Sequence, residues 1–377
     1  MFLLMLLGIL LSALVVPNVV YYTWMKNKAK RDWNLVADPS YKPKVSLIIA
    51  TYNEAAVVNE KLENVQKIVY PSDKLQVILV DSASTDGTLD ACRSFIEKND
   101  LCYPVKLLSE RQRLGKSHAL NIAVEYAEGE IIATSDADAF WEPDALSNAV
   151  RFFSDPSVGA VTGREVLVNL EKNVHTMSEG IYRDFYYTLR LGESKVNSIL
   201  IFDGSLALYR RSILDKFEDR AGYSDDIGTA IKLLSKGYRC IFVPEAVFHD
   251  ATAYSLSGKL LLKSRRAQHL IAGITQASKL KIHKKIAISS AIVAFNFYMH
   301  IISPILFMAT AFVGIIALIV YFPILWFLIP AFLILLIFRK TRLFMASYLT
   351  SQIALVLGLL HHIAGRKEAT WRKIEEM

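Results

Sequence analysis

Cysteine is scarce, with three in 377 residues. Cys92, Cys102 and Cys240 have no metal-ligand spacing, which excludes a zinc ribbon or a disulfide framework. They read as reduced packing residues. Charge is missing from long stretches. Residues 1–25 carry no charged side chain, and residues 286–338 carry none either, interrupted only by Pro304, Pro323 and Pro330. Residues 251–285 hold eight Lys or Arg and lack Asp and Glu altogether. No G-x-G-x-x-G follows the first strand pattern, which disfavours a dinucleotide oxidoreductase. The absence of G-x-x-x-x-G-K-[ST] likewise disfavours a P-loop phosphotransferase.

What stands in place of charge is hydrocarbon. Hydrophobic residues make up 53% of the chain, concentrated at its two ends. Residues 1–25 are followed at once by Lys26, Lys28, Lys30 and Arg31. A cleaved signal peptide would place its charge first. The observed order predicts an uncleaved transmembrane anchor over 1–25 with its N-terminus outside. A basic juxtamembrane linker (26–43) and a cytosolic catalytic domain (44–250) follow, at the plasma membrane. The cations of 251–297 alternate with Leu, Ile and Ala, as expected of amphipathic helices lying on an anionic leaflet. Residues 298–362 hold about three transmembrane helices, and 363–377 form a basic tail. Three spans would leave that tail outside, against the positive-inside tendency; four short spans or a re-entrant segment would restore it. The formal net charge of +7 is thus attributed to a lipid bilayer partner, and no nucleic-acid partner is expected.

The middle of the chain alternates strand and helix patterns. Lys44–Thr51 reads as a strand, Glu54–Ile68 as a helix, Leu75–Asp81 as a strand and Thr88–Glu97 as a helix. Val105–Leu108 is a further strand, Lys116–Tyr126 a helix, and Glu130–Thr134 a strand leading into Ser135-Asp136-Ala137-Asp138. This order predicts an α/β fold with a mainly parallel sheet and helices on both faces. Ligands of such sheets bind beyond the C-terminal strand ends. Thr51-Tyr52-Asn53-Glu54, Asp81 and Asp136/Asp138 all fall there. On an extended segment Asp136 and Asp138 would face the same way and converge on one hard cation. Gly115-Lys116-Ser117, opening a helix, reads either as a cap with a solvated lysine or as a diphosphate contact.

Taken in order, S-L-I-I-A-T-Y-N-E, D-S-A-S-T-D-G-T, G-K-S-H-A-L-N, S-D-A-D, G-S-L-A-L-Y-R-R and S-D-D-I-G-T-A-I-K-L-L-S-K-G-Y-R resemble the membrane-embedded family 2 glycosyltransferases of GT-A fold. The likeness runs from about Val45 to Gly273. The flanking apolar segments resemble those of polysaccharide synthases, hyaluronan and cellulose synthases among them, and of polyprenyl-phosphate sugar synthases. The resemblance implies an inverting, metal-dependent transfer from a nucleotide-diphosphate sugar, UDP-linked, at the cytosolic face. The implied acceptor is lipid-linked or a glycan. A processive exopolysaccharide synthase is the alternative, and a non-catalytic nucleotide-sugar-binding subunit a further one.

By the same resemblance Tyr52 and Glu54 contact the base and Asp81 the uracil or ribose. Asp136 and Asp138 hold Mg²⁺ or Mn²⁺, and Lys116 adds a cation toward the diphosphate. Asp226 is the base and Asp225 its supporting acid; a neighbouring carboxylate raises the pKa of such a group. The departure lies at Lys263–Gly273. Where processive synthases carry Q-x-x-R-W, this chain has Arg265, Arg266, Gln268 and His269 and no Trp. The cations could still clamp diphosphate; the missing aromatic platform argues for one or few additions. Asp203-Gly204-Ser205 fits an acceptor-side loop, Arg164 has no assigned role, and Trp371 reads as an interfacial anchor or a gating residue.

Overall fold

A computed structural model describes residues 1–321 and 336–365. Helix α1 (Phe2–Ala29) leads through an irregular linker to β1 (Val45–Thr51), α2 (Val58–Gln66), β2 (Leu75–Asp81), α3 (Thr88–Lys98) and β3 (Val105–Ser109). Next come α4 (Lys116–Glu125), β4 (Ile131–Asp136), β5 (Phe140–Trp141), α5 (Ala145–Val150), β6 (Val158–Leu167) and α6 (Val174–Val196). The sheet layer closes with β7 (Ala207–Arg210), α7 (Asp225–Ser235) and β8 (Arg239–Asp250).

The eight strands form one sheet in the order β3-β2-β1-β4-β7-β6-β8-β5. Strands β3, β2, β1 and β4 run parallel, β7 runs antiparallel to both β4 and β6, and β6 is parallel to β8. The expected mainly parallel α/β sheet is present, with β7 and β5 reversed. Because side chains alternate along a strand, Leu47 and Ile49 of β1 join one core with α2, α3 and α5, while Ile48 joins another with α4 and α7. A sheet buried on both faces is what its near-continuous apolar strands require.

Beyond the sheet, α8 (Leu256–Ile282) crosses beneath the apolar helices. These are α9 (Ser290–Phe297), continued by a π-helical turn (Tyr298–Ile302) into α10 (Ser303–Val320), and α11 (Arg339–Ile363). Among the described residues, three helices are long and apolar enough to cross a membrane: Phe2–Ala29, Ser290–Val320 and Arg339–Ile363. One boundary and two side-chain placements differ from expectation. Residues 290–297, grouped with the interface helices, are the start of an apolar helix. Lys259 and Lys263, expected on a leaflet, turn inward to Glu179 at 3.2 and 2.9 Å, because a buried carboxylate attracts them more strongly than a wet surface does. Pro323, Pro330, Trp371 and most of the basic tail lie outside the described residues.

Helix α1 packs on α6 so tightly that a Cβ on Gly192 would fall 2.4 Å from the Met25 carbonyl oxygen. The first helix is therefore fixed against the sheet layer. Cys92 and Cys240 are buried as packing residues, whereas Cys102 is exposed.

Candidate active site

The C-terminal edge of the parallel strands gathers the polar residues. Thr51 pairs with Asp81 and Ala50 with Asp136 in the sheet register. After β1 the chain does not enter a helix at Glu54, as its spacing suggests; α2 begins at Val58. Asn53 takes φ 55°, a left-handed conformation that Asn tolerates better than most residues. The loop is held across to the next strand end. The amide of Asn53 donates to Ser84 Oγ (2.9 Å), that of Glu54 to Thr88 Oγ1 (2.8 Å) and that of Ala55 to Asp86 Oδ2 (3.1 Å). Asp81 is 2% exposed and accepts from the Ser84 amide at 3.1 Å. The Arg113 guanidinium lies 3.7 Å from the Tyr52 ring centre, a cation–π contact. Tyr52, Glu54 and Asp81 thus form one end of the site.

Asp136 ends β4, but Asp138 stands in the turn that follows. Strand alternation is therefore not what relates them; the turn is. Asp136 Oδ1 meets Lys116 Nζ at 2.5 Å and its Oδ2 accepts from Ser205 Oγ at 2.8 Å. Burial opposes its ionisation, yet Lys116 and Ser205 together hold its carboxyl below the usual range. Lys116 opens α4 after Gly115, whose φ of 102° is a conformation open to glycine. Its ammonium reaches Asp225 Oδ2 at 3.6 Å as well. Of the two readings of Gly115-Lys116-Ser117, the solvated lysine is not what forms.

Beneath the Asp136–Asp138 turn lies Lys61, which belongs to none of the motifs. It is 1% exposed, and its Nζ donates to Ser135 Oγ (2.7 Å) and to the Ala139 carbonyl. Burial lowers its pKa to about 7, against the pull of Asp136, Asp138 and Asp250. A signal existed in the sequence: Lys61 sits on the same face of α2 as Val58, Leu62 and Val65, where an apolar residue is the norm.

Asp225 and Asp226 begin α7 opposite this turn. A Cβ on Gly204 would lie 3.2 Å from Lys116 Nζ, 3.5 Å from Asp225 Oδ2 and 3.6 Å from Asp226 Cβ, so the Asp203–Ser205 loop, Lys116 and both acids surround one space. Asp226 Oδ1 accepts from the Ile227 amide at 2.6 Å. Its pKa rises to about 7, from burial first and the Asp225 charge second; only the second cause is visible from adjacency in the chain. A carboxylate poised near neutrality suits proton acceptance.

The segment Arg265–Gln268 stands further back. Gln268 is buried in α8 at 8% exposure, where α8 passes α11, and Arg265 is half-buried on the same helix. Arg266 lines the space between α8 and the apolar helices, and its charge still lowers the pKa of Asp136. Alongside runs a buried ion network that sequence spacing could not assemble. Arg183 pairs with Glu165 and approaches Glu179 (3.8 Å) and Asp203 (3.9 Å). Burial, partly offset by Arg183, raises Glu165 to about 7. Asp250 is pushed well up by burial, then by Glu165 and Asp138. Arg164 is exposed, with its guanidinium 5.0 Å from the Tyr187 ring centre.

Among the described residues no three His, Cys, Asp or Glu side chains converge as a closed metal site. The donor set, two carboxylates at one turn, fits a hard divalent ion that shares its coordination with a substrate.

The family described as Glycosyl transferase family 2 matches residues 46–217. The chain is 31% identical over 210 residues to a Bacillus subtilis protein named "Probable glycosyltransferase YdaM", covering 54% of this chain and 50% of that one. It is 26% identical over 227 residues to the poly-beta-1,6-N-acetyl-D-glucosamine synthase of Staphylococcus aureus, covering 59% and 54%. The chain thus spans about half the length of these curated relatives. A solved structure, the mannosyltransferase PcManGT from Pyrobaculum calidifontis in complex with GDP-Man and Mn²⁺, is similar over 97% of this chain and 100% of that one. Its identity is 32% and its TM-score 0.81.

Proposed function

The chain belongs to glycosyltransferase family 2, and from that premise we propose that it transfers a sugar, with inversion, from a nucleotide-diphosphate donor to a lipid-linked acceptor at the cytosolic membrane face. The observation that carries this reading is Lys116 held between Asp136 (2.5 Å) and Asp225 (3.6 Å), with Asp226 beside it. This arrangement supports Lys116 as a cation for the leaving diphosphate beside a carboxylate for the acceptor.

Tyr52, Glu54 and Asp81 receive the nucleoside. A Mg²⁺ or Mn²⁺ ion held by Asp138 and Asp136 would supply Lewis-acid neutralisation of the diphosphate. Lys116 adds its own charge at the same oxygens. Asp226 accepts the acceptor hydroxyl proton as that oxygen attacks the anomeric carbon. The bond from that carbon to the diphosphate oxygen breaks from the opposite face, which inverts the centre. A phosphate acceptor is already ionised, so Asp226 would then mainly orient it. The cytosolic placement rests on Lys26, Lys28, Lys30 and Arg31 after α1.

Two points of the reading have rivals with support. The likeness to a chain solved with GDP-Man favours a guanine donor beside the UDP-linked one expected from the sequence. The Staphylococcus relative, a polymer synthase, supports a processive product.

The deciding experiment measures nucleoside diphosphate release by the full chain in lipid, over UDP- and GDP-sugars, with Mg²⁺ or Mn²⁺, with and without polyprenyl phosphate. Asp138→Asn and Asp226→Asn are the controls. Turnover that needs the lipid phosphate and yields a short glycolipid is expected. A high-mass glycan made without it would replace this reading by a polymer synthase, and donor binding without turnover would favour the non-catalytic subunit.

A further inference from the structure

Helices α1, α6, α8, α10 and α11 line a half-open cavity of about 910 Å³, near the upper end of the roughly 300–1,000 Å³ usual for small-molecule sites. Leu14, Val15, Phe185, Phe307, Phe344 and Leu355 stand in its wall. Its polar end carries Glu179, Tyr182, Lys263 and Arg266. We infer that this cavity is a lipid site: it takes the apolar chain of a lipid phosphate, whose head meets Lys263 and Arg266. The inference rests on the lipid-acceptor reading above and says where, and by which groups, that lipid is held.

Three observations carry it. Three of the walls, α1, α10 and α11, belong to the helices apolar enough to cross a membrane, so hydrocarbon is the medium that reaches the cavity. A glycan chain would leave its hydroxyls without partners against such walls, at a cost in each unsatisfied group.

At the polar end two cations of the lining, Lys263 and Arg266, stand with one buried carboxylate, Glu179. Lys263 lies 2.9 Å from Glu179 and 3.7 Å from the Tyr182 ring centre. Lys259 (3.2 Å) and Arg183 (3.8 Å) approach the same carboxylate, Arg183 also pairing with Glu165. The other acid of the lining, Asp184, is exposed. An anionic head completes such a cluster.

Arg266 connects the two sites. It lines the cavity, and its charge acts on Asp136, Glu165, Asp203 and Asp250. The π-helical turn Tyr298–Ile302 supplies Met299 and His300 to the lining; such turns are frequent at functional sites.

The test uses a benzophenone-bearing farnesyl phosphate as photoprobe on the full chain in nanodiscs, with cross-links mapped by peptide mass spectrometry. Farnesyl phosphate, farnesol and a short oligosaccharide serve as competitors. The expected result is labelling on α1, α6, α10 or α11, competed at least ten-fold better by farnesyl phosphate than by farnesol. Arg266→Gln should reduce that preference several-fold, and Ala311→Trp, which fills the cavity, should remove the labelling while nucleotide-sugar binding persists. Labelling elsewhere, equal competition by farnesol, or competition by the oligosaccharide alone would overturn the inference. The map on the unaltered chain decides even if a variant does not fold. Cavity labelling with no transfer to farnesyl phosphate would sink the acceptor reading and keep the lipid site; transfer without cavity labelling would do the reverse.

Discussion

Lys116 and Asp136 are joined at 2.5 Å, although one opens helix α4 and the other closes strand β4. The contact unites two motifs that the sequence presents separately, and Asp225 at 3.6 Å from the same ammonium brings in a third. Nothing in the spacing of 116, 136 and 225 announces this triangle. It arises because α4, β4 and α7 all present their ends to one edge of the sheet.

The acid pair gives the first prediction. Asp226→Asn should lower transfer to a hydroxyl acceptor by about 10²–10⁴-fold, with a smaller loss on a phosphate acceptor. Because Asp226 is raised to about 7 and must be ionised to accept a proton, the rate should climb with pH through about 7 and then level. A rate on a hydroxyl acceptor that is flat from about pH 5.5 to 8 would count against Asp226 as the base.

Lys61 offers a different kind of test. It touches the turn through Ser135 and Ala139 and acts as a positioning residue. Outer partners of metal sites typically matter by about 10–100-fold in affinity or activity. Lys61→Met should therefore raise the Mn²⁺ or Mg²⁺ concentration needed for half-maximal turnover by about ten-fold. Methionine keeps the length of the side chain but leaves the Ala139 carbonyl and the nearby carboxylates without the Lys61 ammonium, so the Tm should fall as well. A lower Tm with an unchanged metal requirement would reduce Lys61 to a packing role.

Glu179 carries a stability prediction with a defined sign. Burial raises its pKa, but Lys263, Arg183 and Lys259 together bring it down to about 2. A depressed folded-state pKa stabilises above the unfolded value, and that contribution is lost as pH falls from about 4.5 toward 2. Its size is about 3 kcal/mol from the shift alone. Glu179→Gln should remove it at neutral pH and strand Lys259 and Lys263, which thermal unfolding in detergent would register as a fall in Tm. An unchanged Tm would mean that the cations find other partners.

Gly192 tests the docking of α1. A methyl group at this position would sit 2.4 Å from the Met25 carbonyl oxygen, so Gly192→Ala must push the helices apart, at a cost of about 1–3 kcal/mol. Protease sensitivity at residues 30–44 should rise. Resistance equal to that of the unaltered chain would show that α1 is not fixed there.

Much of the catalytic layer was legible. Val45–Thr51, Leu75–Asp81 and Ile131–Asp136 are apolar runs of strand length ending in polar residues, and all three became adjacent parallel strands. The adjacency of Asp225 and Asp226 could be read from the chain, whereas burial, the main cause of the raised Asp226 pKa, could not. Helix α2 was misplaced at its start because Asn53 and its neighbours bond to Ser84, Asp86 and Thr88, partners some thirty residues away. The Asp136–Asp138 pair was singled out on strand alternation, but β4 ends at Asp136 and Asp138 lies in the turn that follows.

By itself the sequence determined the strands and helices from β1 to β4, their order, and the apolar segments, because periodicity and hydrocarbon content are local properties that short-range physics reads directly. Tertiary structure alone decided that Lys61 lies under the Asp136–Asp138 turn, that Lys259 and Lys263 face Glu179 instead of a leaflet, and that Arg266 lines a cavity while its charge acts on Asp136. Each of these is a balance between desolvation and the charges of groups distant along the chain. That balance exists only once folding has brought them together.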